Sequence, residues 1–105
     1  MSNITQTARS KPITATTWKV YHLPMATANT EYSQALSNGT KKFTVIFITN
    51  ADAKFSMNAG GTNTDDWSPI PACNSLSEEN LDLTGATIYL QSAVAGQVAK
   101  ITEWT

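Results

Sequence analysis

Short segments in which apolar and polar residues alternate follow one another along most of the chain. The clearest is residues 41–49, KKFTVIFIT. One face of this segment carries Phe43, Val45 and Phe47, and Ile46 and Ile48 load the other. Alternation with a period of two predicts a β-strand. Because both faces are apolar, we expect this strand in the middle of a sheet or beneath a partner.

Seven further segments have strand character, and residues typical of turns separate them at intervals of about 8 to 12 residues. They are residues 18–23, 31–36, 53–57, 67–71, 75–83, 86–91 and 97–104. No stretch of the sequence shows the 3.6-residue hydrophobic period of an α-helix over the length of a helix. Seven or eight short strands in this arrangement predict an all-β fold, an antiparallel β-sandwich, jelly roll or related Greek key.

Local signals refine several of these elements. Pro24 is expected to end the first strand, and the segment 53–57 is expected to return as the hairpin partner of the strand before it. Pro69 and Pro71 exclude their segment from the centre of a sheet, since proline cannot donate to a strand ladder. Within 75–83, a turn is expected near Glu79–Asn80.

The first 17 residues differ from the rest, because their few apolar residues are isolated and Pro12 interrupts the middle. Residues 1–17 are therefore predicted to form a flexible or docking arm, and residues 18–105 a single β-sandwich domain. An arm of this kind is either a frayed end or a segment that docks onto a neighbour. The candidate partner contacts within it are Ile4, Arg9, Lys11 and Ile13.

The amino-acid composition and net charge exclude several classes of function. Charged residues make up 14% of the 105 residues, against about a quarter in an average soluble domain. Seven basic and eight acidic residues leave a net charge of −1, while 16 Thr and 8 Asn supply much of the polar surface. There is no basic excess to hold nucleic acid, and no apolar run approaches the roughly 20 residues that span a bilayer. A surface so poor in charge favours contact with partners, including copies of itself.

The single cysteine, Cys73, excludes an intramolecular disulfide framework and argues against a cysteine zinc site. It is expected to be a buried or half-buried thiol. The start of the chain, MSNITQTARS, contains no apolar core of a secretory signal, so synthesis in the cytoplasm is expected.

The sequence gives little support for a catalytic function. His22 is the sole histidine, and nothing in the sequence identifies a serine and a carboxylate to work with it. Asp65–Asp66 and Glu78–Glu79 are neighbours, which point to opposite faces when extended and are not preset as an acid–base pair. The oxygen-rich stretch around Asn63 lacks the spacing of a calcium loop. We therefore expect no catalytic residues, no metal site and no cofactor.

Aromatic residues offer a different possibility, a platform for stacking on a sugar or anchoring an interface. Most of the tryptophans and tyrosines are equally suited to filling a small core. Trp67 is the exception, because it lies beside the polar loop 58–66 and just before two prolines. It is the candidate surface or interface aromatic.

Several stretches resemble a group of small virion proteins of tailed bacteriophages. They are residues 29–36 (NTEYSQAL), 39–44 (GTKKFT), 81–92 (LDLTGATIYLQS) and 95–99 (AGQVA), followed by Ile101 and Glu103–Trp104. The similarity extends over residues 29–104 and consists of structural patterns, with no catalytic signature. Residues 1–28 and the loop 58–66 lie outside it.

This resemblance implies a non-enzymatic β-sandwich subunit that decorates or cements a capsid. The implied partner is the major capsid protein, the implied state is a homo-oligomer with a trimer favoured, and the implied location is the virion after synthesis in the host cytoplasm. Neither nucleic acid nor membrane is an expected partner. The alternative is a lectin-like module or a tail or fibre component that recognises host surface glycans through Trp67.

Overall fold

The computed structural model describes residues 17–47 and 51–105. These residues form eight strands and one short 3₁₀ turn, Gly61–Asn63. The strands are β1 (Trp18–Met25), β2 (Tyr32–Ala35), β3 (Thr40–Phe47), β4 (Ala53–Ser56), β5 (Ser68–Ile70), β6 (Ser75–Leu83), β7 (Thr87–Ser92) and β8 (Gln97–Trp104).

The strands form two four-stranded sheets, in which all the pairs are antiparallel. The first sheet has the order β1-β8-β3-β6 and the second the order β2-β7-β4-β5. Strand β1 therefore pairs with β8, β2 with β7, β3 with β6 and β4 with β5, which is a long antiparallel ribbon rolled into two layers. This is the strand order of a jelly roll. The predicted all-β sandwich class is confirmed.

Positions within the sheets follow the sequence signals in part. Strand β3 lies between β8 and β6, as its two apolar faces predict, and the proline-containing β5 is an edge strand. The predicted hairpin between 41–49 and 53–57 is wrong. Strand β4 lies in the other sheet, where it pairs with β5 and β7, because the chain crosses between layers at this point.

Three further expectations are corrected. Strand β1 continues through Pro24 to Met25, which the fold tolerates because β1 is an edge strand. The expected turn near Glu79 is a register irregularity inside a continuous β6: between two pairs, Thr40 with Leu83 and Lys42 with Glu79, β6 has more residues than β3. Cys73, expected to be at least half buried, is exposed in the turn after β5 with a φ of 67°.

The core lies between the sheets and follows the two-residue period of the strands. In β8 every odd position is buried and every even position is half-buried. The rings of Phe43 from the first sheet and Phe55 from the second meet with centroids 6.1 Å apart. The buried cluster comprises Met25, Leu36, Phe43, Val45, Ala53, Phe55, Ile70, Ile88, Leu90, Ala99 and Ile101.

The two ends of the described sandwich meet at one corner. Thr17 and Thr105 exchange both backbone hydrogen bonds, at 3.3 and 2.9 Å, and their hydroxyls also bond to each other. Thr17 thus extends the β1–β8 pair by one residue. Any polypeptide before Thr17 leaves from this corner.

Two isoleucines test the division between the inner and outer faces. Ile101 on β8 is fully buried, whereas Ile46 on β3 is 41% exposed. Ile101→Ala is expected to lower the free energy of unfolding by about 2–5 kcal/mol, because it leaves a cavity in the core. Ile46→Ala is the matched control and should cost about 1 kcal/mol or less. Urea denaturation measures both, and equal losses would contradict the assignment of faces.

Candidate functional site

The sequence singles out five contact residues, and the structure describes one of them. Trp67 lies on the loop before β5 and is 37% exposed. The other four, Ile4, Arg9, Lys11 and Ile13, lie outside the described residues. The chain that carries them joins the sandwich at Thr17, next to Trp18.

The outer face of the first sheet is the first surface of interest. Side chains of this face alternate with those that enter the core, so the strand registers place them in rows. The rows are Trp18–Trp104–Lys42–Glu79, then Val20–Thr102–Thr44–Ser77, then His22–Lys100–Ile46–Ser75. The middle row carries no charge, and Trp18 at the corner is 66% exposed.

The charged side chains of this face, Lys42, Glu79 and Lys100, lie in its two flanking rows. Lys42 places its ammonium nitrogen 4.8 Å from the ring centroid of Trp104, and it lies opposite Glu79 in the register. The ammonium over an indole face is a cation–π contact, which also holds the lysine stem flat along the sheet. The outer face therefore has an uncharged central row of one valine and three hydroxyl side chains, and flanking rows that carry two tryptophans and the charged residues.

The second surface is built on the 57–67 loop, which connects β4 to β5 and folds back over the second sheet. Glu31 holds this loop from just before β2. Its carboxylate accepts hydrogen bonds from the backbone N–H of Gly60 at 2.8 Å, from the N–H of Thr62 at 3.1 Å and from the Thr62 hydroxyl at 2.5 Å. Desolvation raises the pKa of Glu31, but these hydrogen bonds outweigh it and leave the pKa below its ordinary value of 4.5.

The loop requires glycine at two positions, one for its backbone conformation and one for close packing. Gly60 has a φ of 78°, the left-handed region that glycine enters without strain. At Gly61, an added Cβ would lie 2.1 Å from the Ser56 hydroxyl and 2.6 Å from the Asp66 carbonyl oxygen. The Gly-Gly pair therefore allows the loop to lie directly on β4.

Two further side chains complete the attachment. Gln91 on β7 donates to the Thr62 hydroxyl at 3.3 Å and to the Asn63 side-chain oxygen at 2.6 Å. Asn58 donates to the Asp66 carboxylate at 2.7 Å, which closes the loop one residue before Trp67. The sequence shows no apolar anchor here, and the structure supplies polar ones instead.

Next to the loop, Trp67 forms part of the wall of a cavity of about 390 Å³ on the outer side of the second sheet. We call it the Trp67 cavity. The ammonium nitrogen of Lys54 lies 4.9 Å from the Trp67 ring centroid. The lining residues are Asn29, Asp52, Ala53, Lys54, Trp67, Pro69, Ile70, Pro71, Gln91, Ser92 and Ala93.

Sequence reasoning identified Trp67 but missed Glu31, Gln91, Asp52 and Lys54. Their partners are remote in sequence: Glu31 binds residues about 30 positions further along the chain. The composition of the loop could have pointed to such partners. A long polar stretch with a Gly-Gly pair needs anchoring contacts from elsewhere in the chain if it is to be ordered.

Other kinds of site find no counterpart in the described part of the chain. Among residues 17–47 and 51–105, no three His, Cys, Asp or Glu side chains lie close enough to hold a metal ion together. His22 is exposed on the outer face of the first sheet, opposite Lys100. No helix in these ranges has the length and apolar character needed to cross a membrane.

The Glu31 contacts generate a pH prediction. Because the folded-state pKa lies below 4.5, the ionised carboxylate stabilises the protein at and above that pH. The contribution is lost as the pH falls from 4.5 through the lower folded-state pKa. Glu31→Gln should lower the unfolding free energy by about 1–2 kcal/mol near pH 7, and this difference should shrink near pH 3.

Urea denaturation at the two pH values measures the effect. Glu79→Gln, an exposed glutamate on β6, is the matched control and should change stability by less than about 0.5 kcal/mol. A Glu31→Gln penalty that is the same at both pH values would show that its charge does not hold the loop.

Comparisons with known proteins address the fold. No protein-family profile matches the chain, and no curated protein sequence matches it. Among solved structures, it is similar to the solution NMR structure of a de novo designed double-stranded beta-helix. The identity is 18%, the TM-score is 0.51, and the alignment covers 86% of this chain and 100% of the designed one. At this identity the likeness shows the fold alone.

Proposed function

We propose that this protein is a non-enzymatic structural subunit of a tailed-bacteriophage virion, which decorates or cements the assembled shell of the major capsid protein. It acts as a homo-oligomer, with a trimer favoured, and reaches the virion after synthesis in the host cytoplasm. The resemblance of residues 29–104 to small phage virion proteins supports this setting. The jelly-roll strand order is compatible with it, since capsid domains are among the proteins that use this architecture.

The observation that carries the proposal is the outer face of the first sheet. Its middle row, Val20–Thr102–Thr44–Ser77, has no charged side chain to desolvate when another surface packs against it. Trp18 stands exposed at the corner, and tryptophan is enriched among the residues that anchor interfaces. We assign contact between subunits, or between subunit and shell, to this face.

Strand edges are less suited to this task than the face. The free side of β1 carries Lys19 and Pro24, residues that hinder the pairing of two sheets edge to edge. A closed ring of subunits that uses a face avoids open-ended growth. Many such rings on one lattice gain affinity through repetition, so each contact need not be strong alone.

A charge placed in the middle row tests the face. Thr102→Glu is expected to abolish self-association and binding to assembled shells, because the new carboxylate would be desolvated at the contact. Ser33→Glu, at an exposed position on the second sheet, is the matched control and should leave both unchanged. Analytical ultracentrifugation gives the oligomeric mass, and co-sedimentation with empty shells gives the occupancy.

Circular dichroism and urea midpoints establish that both variants are folded. Wild-type protein that stays monomeric and does not co-sediment with shells would overturn the proposal. If each particle bound only a few copies, in place of one for each capsid subunit or local threefold, the protein would be assigned to the tail.

Deletion of residues 2–16 tests the arm. It retains Thr17, whose pairing with Thr105 completes the β1–β8 ribbon, so the sandwich should remain folded. We expect binding to shells to be lost, because Ile4, Arg9, Lys11 and Ile13 are removed. Full occupancy by the truncated protein, measured in the same co-sedimentation assay, would exclude the arm as a contact.

A further inference from the structure

The Trp67 cavity has the size and position of a ligand site that the assembly role does not require. It lies on the second sheet, whereas the proposed assembly face is the outer side of the first sheet. Its volume of about 390 Å³ falls within the range of small-molecule sites in proteins, about 300–1,000 Å³. Its occupant must therefore be explained separately.

One side of the cavity is apolar. Trp67 stands beside Pro69 and Pro71 there, and the hydrogen bond between Asn58 and Asp66 closes the loop one residue before it. An indole face carries the negative part of a quadrupole. It attracts C–H groups of partial positive charge, such as those on the flat side of a sugar ring.

The other side carries polar groups with bonding capacity to spare. Asp52 accepts a hydrogen bond from the Ala72 N–H at 2.7 Å through one carboxylate oxygen. The second oxygen has no hydrogen-bond partner among the described residues, and neither has the side-chain amide of Asn29. The backbone N–H of Asn29 bonds to the Ser92 carbonyl at 2.7 Å, which fixes this residue at the rim.

Two ionisable side chains of opposite sign line the cavity, and their sum favours a neutral ligand. Lys54 is cationic, and its ammonium lies over one face of the Trp67 ring. Asp52 is anionic, so no net charge remains to attract an acidic or a basic compound. Because Lys54 occupies one face of the indole, a ligand stacks on the other face or along its edge.

We infer that the Trp67 cavity binds a neutral saccharide. The sugar ring packs against Trp67 and the two prolines, and neighbouring hydroxyls donate to Asp52 and bond to the Asn29 amide. Carboxylate and amide groups suit adjacent hydroxyls, since the carboxylate accepts two hydrogen bonds and the amide both donates and accepts.

A proline-rich peptide is the competing occupant, because such peptides also bind beside tryptophan. Grooves for these peptides are lined by several aromatic side chains. Trp67 is the one aromatic residue among those that line this cavity. The saccharide is therefore the better match, and the peptide becomes an arm of the test.

Titration of the full chain, followed by two-dimensional NMR, tests the inference. The probes are glucose, galactose, mannose, N-acetylglucosamine and their short oligosaccharides, with sialic acid and a proline-rich peptide as the other arms. At least one neutral sugar is expected to shift the resonances of Trp67, Asp52 and Asn29. Failure of every neutral sugar to do so, or shifts with sialic acid or the peptide alone, would overturn it.

Variants then assign the contacts. Trp67→Ala should weaken binding about tenfold or more, as expected for loss of an anchoring aromatic side chain. Asp52→Asn keeps the shape but removes the charge, and should also weaken binding. Asp82→Asn makes the same change at an exposed position on β6 of the first sheet and is the matched control.

Equal losses in Asp82→Asn and Asp52→Asn would reject the cavity as the site. The amide spectrum of each variant shows whether it is folded. Because oligomeric mass and shell binding are measured separately, failure of sugar binding and failure of the assembly proposal are distinguishable.

Discussion

Antiparallel pairing between strands remote in sequence is the interaction on which the rest of the structure depends. The β1–β8, β2–β7 and β3–β6 pairs join the first half of the chain to the second, and the 57–67 loop lies at the tip of this ribbon. Once the ribbon rolls over, both layers bury one side in a shared core. The loop at the tip then has a sheet surface beneath it, on which the Glu31 and Gln91 contacts hold it.

The two outer faces of the sandwich consequently differ. The 57–67 loop covers part of the outer face of the second sheet. The Trp67 cavity lies where this loop meets β5. No segment among the described residues covers the outer face of the first sheet in this way, and its central row consists of valine, threonines and serine. The proposed self-association and the proposed ligand recognition would thus use opposite layers. Substitutions of exposed residues on one layer are expected to leave the other layer unchanged.

The sequence alone predicted those features of the fold that depend on residues adjacent along the chain. Alternation located the strands and placed β3 inside a sheet, and prolines placed β5 at an edge. It failed where the fold depends on remote partners. The segment after β3 looked like a hairpin return, yet β4 joins the other layer, because crossing between layers leaves no local signature. Trp67 was found from its neighbours, whereas Glu31 and Asp52 were not, since each is defined by contacts 20 or more residues away.

The meeting of Thr17 with Thr105 governs where this protein tolerates additions. Polypeptide joined before Thr17 and polypeptide joined after Thr105 crowd the same corner, beside Trp18. A reporter fused to the end of β8 would therefore compete for space with the arm. The turn at Val94–Gly96 lies at the far end of the same strand, about 25 Å away over eight residues of β8. An epitope or fluorophore inserted there would leave the corner unobstructed.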